Sequence, residues 1–213
     1  MKKSLIILFV LSLVLTLPNQ SNAQAFGGKG SKTLLVGLGF SNYPTIYPSN
    51  NNGLGSTYSP LSFNIGLQGE IGIHDYIGLG FTAGLTFSGS LDYNPGVHPA
   101  LHHNNIYYNY GNWSTIGIPI GMIGNFHFLQ LIADKTGKSF AQDLDVYAGL
   151  ALGAGPSFAI PKSGSNVSGD VGVIFMGEVH AGIRYYFNDK LGVFAEVGQG
   201  RSSRLQGGLA LKF

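Results

Sequence analysis

The stretch LSFNIGLQGEIGIHDYIGLGFTAGLTFS, residues 61–88, decides the fold. Along a strand, side chains alternate between two faces. Leu61, Phe63, Ile65, Leu67, Ile71 and Ile73 share one parity, with Gly69 among them; Ser62, Asn64, Gly66, Gln68, Glu70 and Gly72 share the other. His74 and Asp75 mark a tight turn. Beyond it Ile77, Leu79, Phe81, Ala83, Leu85 and Phe87 alternate with Gly78, Gly80, Thr82, Gly84, Thr86 and Ser88. A period of two on both sides of a turn predicts a β-hairpin with one apolar face.

The same alternation runs outward in both directions. Leu34, Val36, Leu38 and Phe40 precede it. Ile116, Ile118, Ile120, Met122 and Phe126 follow, then Leu144, Val146, Ala148, Leu150 and Leu152. Val171, Val173, Phe175, Val179, Ala181, Ile183, Tyr185 and Phe187 form a sixth run. Leu191, Val193, Ala195 and Val197 form the seventh, and Leu205, Leu209, Leu211 and Phe213 the eighth. No position of the apolar parity is charged. Pro119 interrupts the fourth run, where a strand would lose a ladder hydrogen bond.

Composition says where the apolar face points. Charged residues make up 10% of the chain, against about 25% in soluble domains. Glycine supplies 33 of 213 residues. After the first residues no apolar run approaches helix-spanning length, and inside lipid only helices and closed barrels satisfy every backbone group. A soluble eight-stranded barrel of lipocalin type would show charge to water. Here the second face is mostly Gly, Ser, Thr, Asn and Gln, which suit the narrow lumen of an eight-stranded barrel. The expectation is an all-β, eight-stranded antiparallel up-and-down barrel crossing a membrane. Phe40, Tyr58, Phe87, Tyr110, Phe126, Phe158, Phe187 and Phe213 lie near strand ends, as interfacial aromatics do.

The ends fix the compartment. Lys2 and Lys3 precede an apolar run from Ser4 to Leu17, broken by Pro18 and Asn19. Ser21-Asn22-Ala23 then offers small residues to a signal peptidase, with Gln24 as the new terminus. The apolar run falls short of the about 20 residues a membrane helix needs. The expected division is a cleaved signal over 1–23, a flexible leader over 24–32 and a barrel over 33–213. With no cysteine, disulfides, thiolate metal sites and a lipid-modified cysteine are excluded. A formal net charge of +2 gives no reason to expect nucleic acid as a partner.

Loop lengths orient the barrel. The turns at 74–75 and 188–190 are short, whereas 42–57, 89–110 and 157–168 are long and polar. Outer-membrane barrels keep short turns in the periplasm and long loops outside, so both chain ends fall in the periplasm. The segment 129–143 is long for a periplasmic turn; Leu129 to Ala133 has room for a short helical piece.

Three features together carry a resemblance: a signal ending Ser21-Asn22-Ala23-Gln24, a seventh strand reading Val193-Phe194-Ala195-Glu196-Val197-Gly198, and a last strand ending in Phe213. The chain resembles the small outer-membrane barrel family common in Bacteroidetes, relatives in shape of the OmpA and OmpX barrels. The resemblance covers the whole mature chain. It implies outer-membrane lipid and the barrel-assembly machinery as partners, the latter recognising the terminal strand at Leu205, Leu209, Leu211 and Phe213. It also leaves room for an extracellular or envelope protein partner. The peptidoglycan-binding domain that follows the OmpA barrel is not expected here. The implied role is non-enzymatic, structural in the envelope or acting through surface loops. A narrow channel, or a barrel that binds or transports a small molecule, is the alternative.

Inward parity gathers Glu70, Glu178, His180, Arg184, Glu196, Arg204 and Lys212 in the lumen. The resemblance implies an ion-pair network that plugs the barrel, with a proton or ion path as the other reading. The turn at 188–190 brings Arg184 close to Glu196 on paper. Glu178 and His180 share a face and suggest an acid–base pair. However, the lipid A deacylase barrel pairs its His with a Ser two residues on, and neither His180 nor His127 is so followed. No cofactor is expected. His98, His102 and His103 are three potential metal ligands in one outer loop, without the spacing of a known site. Residues 27–33, GGKGSKT, resemble a phosphate loop in composition only, because a strand follows and not a helix.

Overall fold

The computed structural model describes residues 25–42, 44–49, 53–58, 62–89, 113–137, 142–161, 170–200 and 203–213. Eleven strands and one helix lie within them: β1 (Lys32–Asn42), β2 (Pro44–Ser49), β3 (Gly53–Tyr58), β4 (Ser62–His74), β5 (Ile77–Gly89), β6 (Trp113–Gly117), β7 (Ile120–His127), α1 (Phe128–Thr136), β8 (Leu144–Pro161), β9 (Asp170–Tyr186), β10 (Leu191–Gly200) and β11 (Ser203–Lys212).

Every neighbouring pair in the wall is antiparallel, and the sheet closes on itself. The ring runs β1, β4, β5, then β6 and β7 end to end as one stave, then β8, β9, β10 and β11. The last strand pairs back on the first, from Thr33 opposite Lys212 to Asn42 opposite Ser203. Eight staves result, so the chain is an eight-stranded up-and-down β-barrel.

Burial assigns the faces. Leu38, Ile71, Leu79, Met122, Leu152, Val179 and Leu205 stand exposed on the outside, whereas Asn64, Gln68, Glu70, Asn125, His180, Arg184 and Glu196 are buried inside. Met122 is 72% exposed and Arg184 only 1%. A soluble protein distributes these residue types the other way round. With the apolar belt in lipid and the polar groups in the lumen, both sets are satisfied, which makes this a transmembrane barrel. Of the aromatics expected at the interfaces, Phe40, Phe87, Phe126, Phe158, Phe187 and Phe213 face outward. Tyr110 lies outside the described residues.

Pro119 does not disturb the wall. Gly117 stands opposite Thr86 and Ser157, and Ile120 opposite Ala83 and Ala154, so the register is continuous across it on both sides. The Pro119 carbonyl still accepts from the Gly84 N–H at 2.9 Å, and the Ile118 N–H donates to Pro156 at 2.9 Å. The stave loses only the donor that proline lacks.

Two expectations need correction. Residues 42–57 do not form a long polar loop: β2 and β3 pair as a hairpin, and β2 continues the wall on β9 through Thr45–Ile174 and Ile46–Val173. The reason is that β10 ends at Gly200, opposite Glu178, leaving the outer part of β9 in need of a partner on that side. The segment 157–168 begins as strand, since β8 runs on to Pro161. The helical piece expected at Leu129 to Ala133 is present and longer: it spans Phe128–Thr136 and ends on Gly137, whose φ of 65° and N–H bond to the Ala133 carbonyl form a left-handed C-cap.

One end of the barrel carries the Asp75–Tyr76 turn, helix α1, the 187–190 bend and Phe213. At that bend the Asn188 side chain accepts from the Lys190 and Leu191 N–H groups, at 2.9 and 2.8 Å. Ala25 and Phe26, part of the stretch expected as a leader, are buried at this end. Ala25 joins Leu35, Tyr186, Phe194 and Ala210 in an apolar layer across the mouth. The signal segment 1–23 lies outside the described residues.

Candidate functional site in the barrel lumen

The polar face of the wall brings its side chains together along the barrel axis. Glycines make the room. A Cβ on Gly182 would stand 2.4 Å from the Tyr147 ring and hydroxyl, and one on Gly149 would stand 2.3 Å from Asn125 Oδ1. Small positions on one stave therefore accept large side chains from another, as a narrow lumen requires.

Two clusters form. In the first, Arg184 of β9 donates to Glu70 of β4 and approaches Asp145 of β8 at 3.5 Å. His127, at the end of β7, sits between the same two carboxylates. Its Nε2 is 2.6 Å from Glu70 Oε1 and its Nδ1 is 2.9 Å from Asp145 Oδ1. Ionised carboxylates only accept, so this geometry is satisfied by a ring carrying protons on both nitrogens, or by a proton shared with one carboxyl. Phe26 lies flat against the outer side of this imidazole.

In the second cluster Arg204 of β11 reaches both Glu178 and Glu196, each at 2.6 Å. Gln68 and Gln206 donate to Glu196 Oε1 at 2.9 and 3.1 Å, and the Tyr147 hydroxyl donates to Glu196 Oε2 at 2.8 Å. Asn125 and Tyr147 join the clusters. Asn125 donates to Glu70 at 2.9 Å while its carbonyl oxygen meets His180 Nε2 at 2.7 Å. The Arg184 guanidinium stacks 4.1 Å above the Tyr147 ring.

Six of the residues expected in the lumen are thus brought together: Glu70, Glu178, His180, Arg184, Glu196 and Arg204. Lys212, the seventh, sets its Nζ 4.4 Å over the Tyr186 ring. One pairing is corrected. The register does set Arg184 and Glu196 two positions apart, yet Arg184 bonds Glu70 and Asp145 and Glu196 bonds Arg204. Each long side chain finds its partner across the lumen instead. Asp145, His127, Asn125, Gln68, Tyr147 and Gln206 were not among the expected members. All but one of these are polar residues on the inward parity of their strands, the exception being the aromatic Tyr147, so parity alone carried the signal. His98, His102 and His103 lie outside the described residues. Among the described residues no group of three His, Asp or Glu side chains is arranged to hold a metal ion.

Apolar groups share the lumen with small polar ones such as Thr33, Ser41, Ser62 and Thr86. The Ala25 layer closes one mouth, and Ile123, Ala151, Ile174 and Met176 pack together inside the wall. No helix of the described residues is long and apolar enough to cross a membrane.

No family model matches the chain, and no curated protein is similar to it. Solved structures with a similar course include Ail, the attachment invasion locus protein of Yersinia pestis, at 11% identity and a TM-score of 0.45, covering 87% of this chain and 99% of that one. Neisserial surface protein A follows at 14% and 0.44, covering 87% and 100%. The N-terminal β-barrel domain of Pseudomonas aeruginosa OprF stands at 14% and 0.42, covering 87% and 99%.

Proposed function

We propose that this chain is a non-enzymatic integral barrel of a bacterial outer membrane, closed along its axis, which strengthens the envelope and presents its far-end segments to a surface partner. The observation that carries this reading is the packed lumen. Arg184, Glu70, His127, Tyr147 and Glu196 are all nearly inaccessible to solvent and mutually bonded. A hydrated pore would leave such groups wet. Both ring nitrogens of His127 are taken by carboxylates, so it is not poised to activate a hydroxyl nucleophile. Outer-membrane lipid around the belt and the barrel-assembly machinery acting on β11 are the partners this reading entails.

Planar-bilayer recording on the refolded chain tests it. A closed barrel gives no steady conductance. A stable ohmic conductance in the intact protein overturns the closed reading and favours the narrow channel.

A further inference from the structure

Helix α1 is mounted with its apolar side outward. Successive helical residues turn by 100°, so Gln130 and Ala133 fall on one side and Phe128, Leu131 and Ile132 on the other, with Leu129 between; Phe128 and Leu131 are half-buried. The buried pair is Gln130 and Ala133, and Ile132 is 46% exposed. Within the helix Gln130 donates to Asp134 Oδ1 at 2.8 Å. A helix facing water would do the opposite.

The apolar side is continuous with the belt of the wall. Phe126, two residues before the helix, faces outward, and so does its cross-strand partner Ile77. Lys135 stands exposed in the last turn, beside this surface. An apolar face with a cation at its rim, set at the edge of a lipid-facing wall, has the chemistry of a helix lying in a membrane interface. We propose that α1 is an interfacial anchor, its Phe128–Ile132 side immersed at the headgroup boundary of the phospholipid leaflet at this end of the barrel, with Lys135 near lipid phosphate. The inference rests on the transmembrane reading of the wall and adds a lipid contact outside the strands.

Depth-dependent quenching tests it. In a Trp113→Phe background, single tryptophans are placed by Ile132→Trp, Phe128→Trp, Met122→Trp and Asp189→Trp. Each chain is folded into phosphatidylcholine–phosphatidylglycerol vesicles carrying lipid brominated near the headgroup end of its chains. Folding is confirmed by the mobility shift on heating. Met122→Trp reports the belt, and Asp189→Trp the exposed bend. Quenching of Ile132→Trp well above that of Asp189→Trp, with a blue-shifted emission, supports the anchor. If Ile132→Trp does not fold, Phe128→Trp makes the same comparison. Quenching at 132 and 128 no deeper than at 189, with Met122→Trp quenched, overturns the anchor alone and leaves that face to solvent or to a protein. An unquenched Met122→Trp overturns the transmembrane reading itself.

Discussion

Phe26 lies on the imidazole of His127, with 3.5 Å between ring centroids and 4° between ring planes. The start of the described chain thereby covers the one imidazole that bridges Glu70 and Asp145. Removing the ring uncovers a charged cluster and leaves a hole in the mouth. Phe26→Ala should cost roughly 3 kcal/mol, as truncation of a buried phenylalanine does. Urea unfolding in vesicles reads this, and an unchanged midpoint would show that the stacked pair does no structural work.

The second prediction concerns Glu70 and Arg184. Each is buried and bonded to the other, and a charge stranded in a low-dielectric lumen is expensive. Glu70→Gln and Arg184→Met should each destabilise by about 3 kcal/mol. The double variant should lose much less than the sum. A double-mutant cycle isolates the coupling. The matching cycle on Arg184 and Glu196 should give a smaller coupling, since Glu196 is held by Arg204 and Tyr147. Equal couplings would contradict the partner assignment.

Glycine packing makes a third. A Cβ on Gly182 meets Tyr147 at 2.4 Å, and Tyr147 cannot retreat without breaking its bond to Glu196. Gly182→Ala should therefore cost about 2 kcal/mol through overpacking. On Gly124 the only near atom is Leu79 Cδ2, at 3.2 Å, the end of a side chain on the lipid side. Gly124→Ala should be almost silent. Thermal midpoints of the two folded variants decide, and a reversed order would mean the two glycines are misassigned to faces.

Charge on the belt is the fourth. Leu79 faces outward, and Leu79→Arg should cost about 2–4 kcal/mol near the membrane midplane. Thr82, buried on the opposite face of the same strand, should tolerate Thr82→Ser. Equal folding yields in vesicles would contradict the assignment of the two faces.

The wall was legible in the sequence because a period of two is a local property. Leu79, Phe81 and Phe87 announce their face without reference to any other strand. The partners inside the lumen are not local. Glu70 meets Arg184 across 114 positions of sequence, and which of several inward acids an arginine reaches depends on the stagger of staves around the ring. A hairpin count therefore linked Arg184 to Glu196, its sequence neighbour, and missed the true partner. Asp145, Asn125 and His127 were on the inward parity and readable as such; what hid them was the short apolar runs around them, which drew attention to Val146 and Phe126. The β2–β3 hairpin escaped for another reason. Its sequence, rich in Pro, Gly, Ser and Asn, has the composition of a loop, and it is β9's unpaired edge that makes a strand of it.

The pairing of β1 with β11 also sets the order in which the molecule can come into being. Thr33 waits for Lys212, so the wall has no finished portion until the final strand is delivered. A chain stopped before Ser203 would expose two bare ladders, on β1 and on β10, and in hydrocarbon each unmet N–H or C=O costs several kcal/mol. No half-built barrel can rest in the bilayer. Closure is therefore cooperative: the ladder between β1 and β11 satisfies both edges in one step.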